Sequence, residues 1–349
     1  MRKLHHLFGA ALILGTLGLS HAADAADPVK VRIAWVSAPG TIIPLVFDEA
    51  YRNADLLKHY GKSYTVETTL FRGSAPQITA VAANEIDIIQ PAFSSLVFTI
   101  ENAKLTDIRV IGDIFQSGVG SYLAESYMVR GDGGIDKVED LKGKTVATNA
   151  FGGALDIAMQ AMLKKHGLTQ QRDYTAVEIQ IPNMVSDLVG KKVDMISVGM
   201  PWTEDAKKAG GKALFTMRDS MGIAQEIMMA SRTGFLEKNH AAMNDMMEDY
   251  VRALQWFFNP ANRTAALALI SKFNKRPASD YESYVLTEKD YYRDPYAVPN
   301  VEALQKNIDL VRELGFGKTT IDVKKYVDLS FVEEAKKRLG GATPPGWQK

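Results

Sequence analysis

The 349-residue sequence predicts an α/β protein of two lobes, each a mostly parallel sheet flanked by helices, with a ligand cleft between them. The first observation behind this is a repeat. A helical run, a polar break and an apolar strand carrying an aspartate occur over 77–89, around Asn84 and Asp87, and again over 184–196, around Gly190 and Asp194. The two aspartates lie 107 residues apart, and each copy follows a strand, a small-residue loop and an apolar helix, entered at Val31 and at Lys144. The second is size: 349 residues with 46% hydrophobic content exceed one average domain and suit two ordinary α/β lobes.

The elements follow in order. Residues 1–25 read as a cleaved export signal, because Arg2 and Lys3 precede an apolar run over 7–19 and then small residues. That run falls short of the ~20 residues that span a bilayer. Lobe one is expected over 26–122 and 228–349, and lobe two over 123–227. A strand over 29–35 leads through a loop at 37–41 into a helix opening on Pro44, where a missing N–H costs nothing. A strand over 64–71, a loop at 72–76, a helix to 83, a strand over 86–89 and a helix from 93 complete the first unit. After a strand over 108–115, the flexible stretch 116–121 reads as the crossing into lobe two, which resumes at 126–130. Lobe two continues through a strand at Val146 and a helix with Leu155, Ala158, Met159 and Met162 on one face. A strand over 177–181 and the second aspartate-bearing strand follow, and 226–231 is the return. From 235 onward the pattern is nearly all helical and is expected to pack behind the hinge on lobe one.

Composition excludes several functions. Lys plus Arg equals Asp plus Glu at 41 each, leaving no electrostatic footprint for nucleic acid or an anionic membrane. The absence of cysteine removes disulfides, thiolate metal sites, cysteine nucleophiles and a lipid-bearing cysteine. The expectation is an unanchored periplasmic protein. Lys142-Gly143-Lys144-Thr145 and Gly317-Lys318-Thr319 imitate the end of a phosphate-binding loop, but Val138 and Arg312 stand where its first glycine belongs. His59, His166 and His240 are scattered, so no metal site is expected, and no nucleophile elbow is present. Neither catalysis nor a cofactor is expected. Asp87 and Asp194, at equivalent places in two repeats, read as structural. Tyr291 and Tyr292 are placed in the helical tail, far from the cleft loops.

The candidate ligand contacts are the loops at the predicted strand ends. Ser37 to Thr41 and Asn149 to Gly153 each follow a strand and open a helix, so free N–H groups of Phe151, Gly152 and Gly153 and the positive helix end face the cleft. Asp156 in the first turn already complements that dipole. Gln90 and Ser94 after one aspartate-bearing strand supply donors, Met200 and Trp202 after the other supply an aromatic wall, and Phe93 and Phe151, near predicted strand ends, add aromatic surface for an organic body. Trp35 adds an aromatic surface, Arg72 a cation, and Ser74 and Asn183 further polar contacts.

Taken in order and spacing, Val31 to Trp35, Asn84 to Ile88, the Val138 to Val146 run with its Gly-Gly loop, Gly190 to Asp194 with Pro201, and the tail Tyr326 to Ala335 resemble a known family. It is the substrate-binding proteins of ATP-driven nitrate, sulfonate and taurine importers, a group related to thiamin-pyrimidine precursor binding proteins. The resemblance covers about residues 29–339. It implies a class II periplasmic binding protein, monomeric, that closes on a small solute and docks on permease subunits. Asn84, where glycine is common, and the Met200-Pro201-Trp202 loop depart from the pattern. Arg72 among aromatics points to an organic sulfonate or carboxylate with an apolar body. The alternatives are an aromatic nutrient resembling the thiamin pyrimidine, and a ligand-sensing partner of a membrane receptor. An enzyme of the thiamin-pyrimidine branch is disfavoured, since that chemistry involves cysteines.

Overall fold

The computed structural model describes residues 27–36, 38–344 and 347, so the export-signal reading of 1–25 and the candidate Ser37 lie outside the described residues. Ten strands form two five-stranded sheets. The strands are β1 Val29–Trp35, β2 Tyr64–Leu70, β3 Ile88–Ile89, β4 Ile108–Ser117, β5 Ser126–Arg130, β6 Thr145–Thr148, β7 Thr175–Glu178, β8 Met195–Val198, β9 Gly211–Thr216 and β10 Ala224–Arg232. The first sheet has the order β2-β1-β3-β10-β4 and the second β7-β6-β8-β5-β9. The same spatial order thus arises twice, as the internal repeat requires.

Twelve helices cover the sheets: α1 Ile43–Phe47, α2 Ser74–Ala82, α3 Phe93–Glu101, α4 Ala154–Lys165, α5 Ile181–Val189, α6 Trp202–Lys208, α7 Met217–Met221, α8 Thr233–Lys238, α9 His240–Phe258, α10 Arg263–Asn274, α11 Val301–Glu313 and α12 Ser330–Arg338. Both sheets are mixed. β1 runs parallel to β2 and β3, and β6 to β7 and β8, whereas β10 and β5 each pair antiparallel with both neighbours. Those two antiparallel strands result from the crossings between sheets: β4 feeds β5, and β9 returns to β10, which begins at Ala224, ahead of the expected boundary at 228.

The repeat's connection is the same structure in both copies. α2 ends with Glu85 N–H donating to Ala80 O at 2.8 Å, and α5 with Lys192 N–H donating to Asp187 O at 3.0 Å. The left-handed residue that makes each turn is Asn84 (φ 57°) and Lys191 (φ 59°). Glycine is therefore not what the turn uses, and Gly190 precedes it in ordinary right-handed geometry. Asp87 then accepts from Arg32 N at 2.9 Å and from its guanidinium at 2.6 and 2.9 Å. Asp194 accepts from Thr145 N at 3.0 Å and from Arg130 at 3.2 Å. Both aspartates pin the first parallel strand of their sheet.

Three expectations are corrected. The strand expected over 177–181 is Thr175–Glu178, because Pro182 occupies the first turn of α5 and draws Ile181 into that helix. The loop expected at 72–76 ends earlier, with Ser74 opening α2. The tail is less helical than its composition suggests: 281–300 carries no helix, only turns and bridges, and Gln116 pairs with Tyr292 in both directions at 2.8 and 3.2 Å.

The core is continuous between the lobes on one side. Phe93, Leu96 and Val97 of α3 belong to the same buried cluster as Leu155, Ala158 and Met159 of α4. A side chain at Gly152 would stand 3.2 Å from the Phe98 ring, so the lobes touch there through a residue without a Cβ. No helix among the described residues is long and apolar enough to cross a membrane.

Candidate functional site

The C-terminal ends of β1, β2 and β3 and those of β6, β7 and β8 carry the candidate loops, the usual ligand position in parallel α/β sheets. On the lobe-one side the loops are tied together. Gln77 Oε1 accepts from Gln90 N at 2.7 Å, and Ser74 Oγ from Ala92 N at 3.5 Å. α3 starts directly afterwards, and its N-cap, Ala92, offers no side-chain cap. Gln90 Nε2 and Ser94 Oγ are both buried with no hydrogen-bond partner. Buried polar side chains are nearly always paired, so two unpaired donors beside an uncapped nine-residue helix start distinguish these lobe-one candidates from their surroundings. Phe93 is fully buried in the core and not presented to the cleft.

The lobe-two loop behaves otherwise. Phe151 N donates to Glu178 Oε1 at 2.5 Å, and Gly152 N to Asp156 Oδ2 at 2.8 Å. The amides expected to be free are therefore held by the lobe's own carboxylates. Burial pushes the Asp156 carboxyl above its usual range, partly offset by the Gly152 and Gln160 hydrogen bonds. Phe151 itself is 49% exposed, and Asn149 is exposed beside it. Gly153 caps α4 in extended geometry.

The remaining candidates scatter. Trp35 turns onto Phe273 of α10, with ring centroids 5.5 Å apart. Thr41 is buried and accepts from Ile43 N at 3.3 Å, so its hydroxyl braces the entry to α1. Arg72 is exposed at the end of β2, and Asn183 is exposed on α5. Trp202 packs partly on the lobe-two core, while Met200, from the same loop, packs on the lobe-one core and so bridges the lobes. Met200 also lines a cavity of about 550 Å³ bordered by Leu123 of the first crossing, Ser126 at the start of β5, Thr216 at the end of β9 and Arg218 of the second crossing.

Buried side chains that the sequence-based reading did not bring together meet where the lobes adjoin. Tyr291, expected far from the cleft, stacks on Phe115 (centroids 4.2 Å apart), and its hydroxyl lies 2.7 Å from where a Cβ on Gly199 would be. Glu125 and Glu226 are buried beside it, and Ser117 Oγ donates to Glu125 Oε2 at 2.5 Å. Arg293 is buried, donating to Pro39 O at 3.1 Å and Gly40 O at 2.9 Å, with Asp290 at 3.3 Å. It thereby fixes the β1–α1 loop from the tail. The available sequence signal was a charged residue inside an apolar strand, as Glu226 stands before Ile-Met-Met-Ala.

No curated protein matches this sequence. Solved structures do. A putative periplasmic sulfonate-binding protein, SsuA, from Methylobacillus flagellatus is 19% identical over 92% of this chain and 99% of its own, with a TM-score of 0.68. The periplasmic nitrate-binding protein NrtA from Synechocystis is 15% identical over 90% of each chain, with a TM-score of 0.69. The desulfurization enzyme DszB is 11% identical over 89% of this chain and 99% of its own, with a TM-score of 0.64. These likenesses establish the two-lobe periplasmic-binding-protein fold. The model of the NMT1-like family matches residues 24–271, and the chain belongs to that family.

Proposed function

We propose that this protein is an exported periplasmic solute-binding protein that captures a small organic anion between its lobes and hands it to the permease of an ABC importer. The observation that carries the ligand reading is the open start of α3, where Gln90 Nε2 and Ser94 Oγ are buried and unpartnered. A sulfonate or carboxylate head group satisfies both donors and accepts from the free N–H groups of the helix start. The apolar body then extends along Met200 and Trp202 toward the exposed rim of Val36, Leu70 and Phe151. Ligand contacts on both lobes favour the closed state by the difference in affinity between the two states. No bond is broken. The relatives that SsuA and NrtA represent are binding proteins, which supports this reading over that of an enzyme such as DszB.

A second reading is favoured by the buried carboxyls beside Tyr291. Glu125 and Glu226 are buried carboxyls, and the buried cation near them, Arg293, is committed to the β1–α1 loop. Such carboxyls suit a nutrient bearing N–H donors, such as an aminopyrimidine. Thermal unfolding of the protein, freed of co-purified ligand, against sulfonates, aromatic carboxylates, nitrate and aminopyrimidines separates the two. A ligand present at 100 times its Kd adds about 2.7 kcal/mol to the folded state. A raised Tm with an organic anion that is lost in Ser94→Ala supports the first reading. A response to aminopyrimidines alone replaces it with the second.

A further inference from the structure

The lobes are joined by two crossings, from β4 to β5 and from β9 through α7 to β10. Glu125 is the last residue of the first crossing and Glu226 the third residue of the strand that follows the second. Both are buried, at 1% and 7% exposure. Their carboxyls lie within hydrogen-bonding reach of each other, yet Glu125 Oε1 and Glu226 Oε2 have no other partner. Two facing carboxylates in such a place cannot both be ionised, whereas one proton between them satisfies both oxygens. We propose that Glu125 and Glu226 share a single proton that ties the two crossings together, holding the lobes in the arrangement seen here and releasing them when it is lost.

The surroundings fit. Ser117 Oγ on β4 donates to Glu125 Oε2 at 2.5 Å, and the Tyr291 hydroxyl is also within its reach. Tyr127 on β5 and Asp156 on α4 face the pair from lobe two, the Tyr127 hydroxyl being spent on Leu155 O at 2.7 Å. From the tail come Asp290 and Arg293; the guanidinium is 6.0 Å from the Tyr291 ring centroid and is engaged with carbonyls and Asp290. Among the described residues neither glutamate has a salt-bridge partner. Burial and the neighbouring Glu125 hold the Glu226 carboxyl well above its usual range. The crossings are also braced without a proton, since Arg218 of the second donates to Gly118 O at 2.9 Å and Tyr122 O at 3.1 Å of the first.

The sign follows from linkage. A carboxyl raised on folding binds a proton that the unfolded chain has already released, so stability falls as pH rises toward the folded pKa. Asp113, which pairs with Met228 two residues along β10 from Glu226 and is raised to about 7 by burial, shifts stability in the same direction and must be separated. The absence of cysteine allows one label per lobe at Glu67→Cys and Thr175→Cys, on the outer strands of the two sheets, with the distance measured without ligand at pH 5 and pH 9. The expected result is a longer distance at pH 9 in the otherwise unaltered protein and in Asp113→Asn, and none in Glu226→Gln, whose amide keeps a donor that cannot be released. An equal change in Glu226→Gln, or no change in the unaltered protein, overturns the proposal. If Glu226→Gln does not fold, Glu125→Gln is measured in the same way. Solute affinity does not enter this readout, so it stands apart from the ligand reading.

Discussion

The two helix starts that face the cleft descend from one repeated unit yet are chemically opposite. At α3 the donors of Gln90 and Ser94 are left open, whereas at α4 the lobe's own Glu178 and Asp156 already accept from Phe151 and Gly152. The anchoring aspartates differ as well. Asp87 takes its arginine from the strand it pins, while Asp194 finds Thr145 there and recruits Arg130 from β5. One scaffold thus tolerates exchange of its polar partners; Thr148 Oγ1 and Asp156 Oδ1 are left unpaired in lobe two as Gln90 Nε2 and Ser94 Oγ are in lobe one, and what separates the two helix starts is that the lobe-two amides are already held by carboxylates.

Removing the anchors tests this asymmetry most strongly. Asp87→Ala removes the acceptor of three hydrogen bonds at 2.6 to 2.9 Å, two of them from the Arg32 guanidinium, and is expected to cost about 3 kcal/mol, whereas Asp194→Ala removes two longer contacts, at 3.0 and 3.2 Å, and is expected to cost about 1 kcal/mol. Equal losses in denaturant unfolding would erase the distinction. Of the same order, and read as a function of pH, is the response of Asp113, which burial raises to about 7. Its folded carboxyl keeps a proton that the unfolded chain has lost, so stability falls from about pH 4 to 7 by up to ~1.4 kcal/mol per unit and then levels. Asp113→Asn is expected to flatten that slope in a Tm profile.

At the helix starts, Ser94→Ala together with Gln90→Leu is expected to weaken binding of an organic anion at least tenfold, about 1.4 kcal/mol, with little loss of stability, because both donors are unpartnered. Titration calorimetry with an anion that raises the Tm checks it, and an unchanged Kd would remove α3 from the site. Asp156→Ala sharpens the contrast from the other side: freeing the Gly152 amide is expected to strengthen anion binding by a few-fold. The smallest effect belongs to Arg72→Ala, since this side chain is exposed, and a Kd change below about twofold is expected.

Much of the scaffold was legible because its signals are local. The αL turn and the following aspartate lie within a few residues, and apolar runs of period two or 3.6 set strand and helix. The same locality explains the misplacements: Ile181 reads as the end of a strand until Pro182 is seen in the first turn of α5. Ser94 and Gln90 were identified as donors from their place after a strand, whereas Phe151 and Gly152 were read as free because Glu178, 27 residues after Phe151, carries no mark of its partner.

The sequence by itself determined the repeat, the two lobes and the set of loops at their strand ends, since each depends on short-range periodicity and turn chemistry. Only the tertiary structure decided which of those loops is open, and it alone placed Tyr291 over Gly199, Arg293 under Gly40 and Glu125 opposite Glu226. Those contacts join segments about 90 to 250 residues apart. Which buried polar group finds a partner at such separations is settled by sheet order and by the two crossings, not by spacing along the chain.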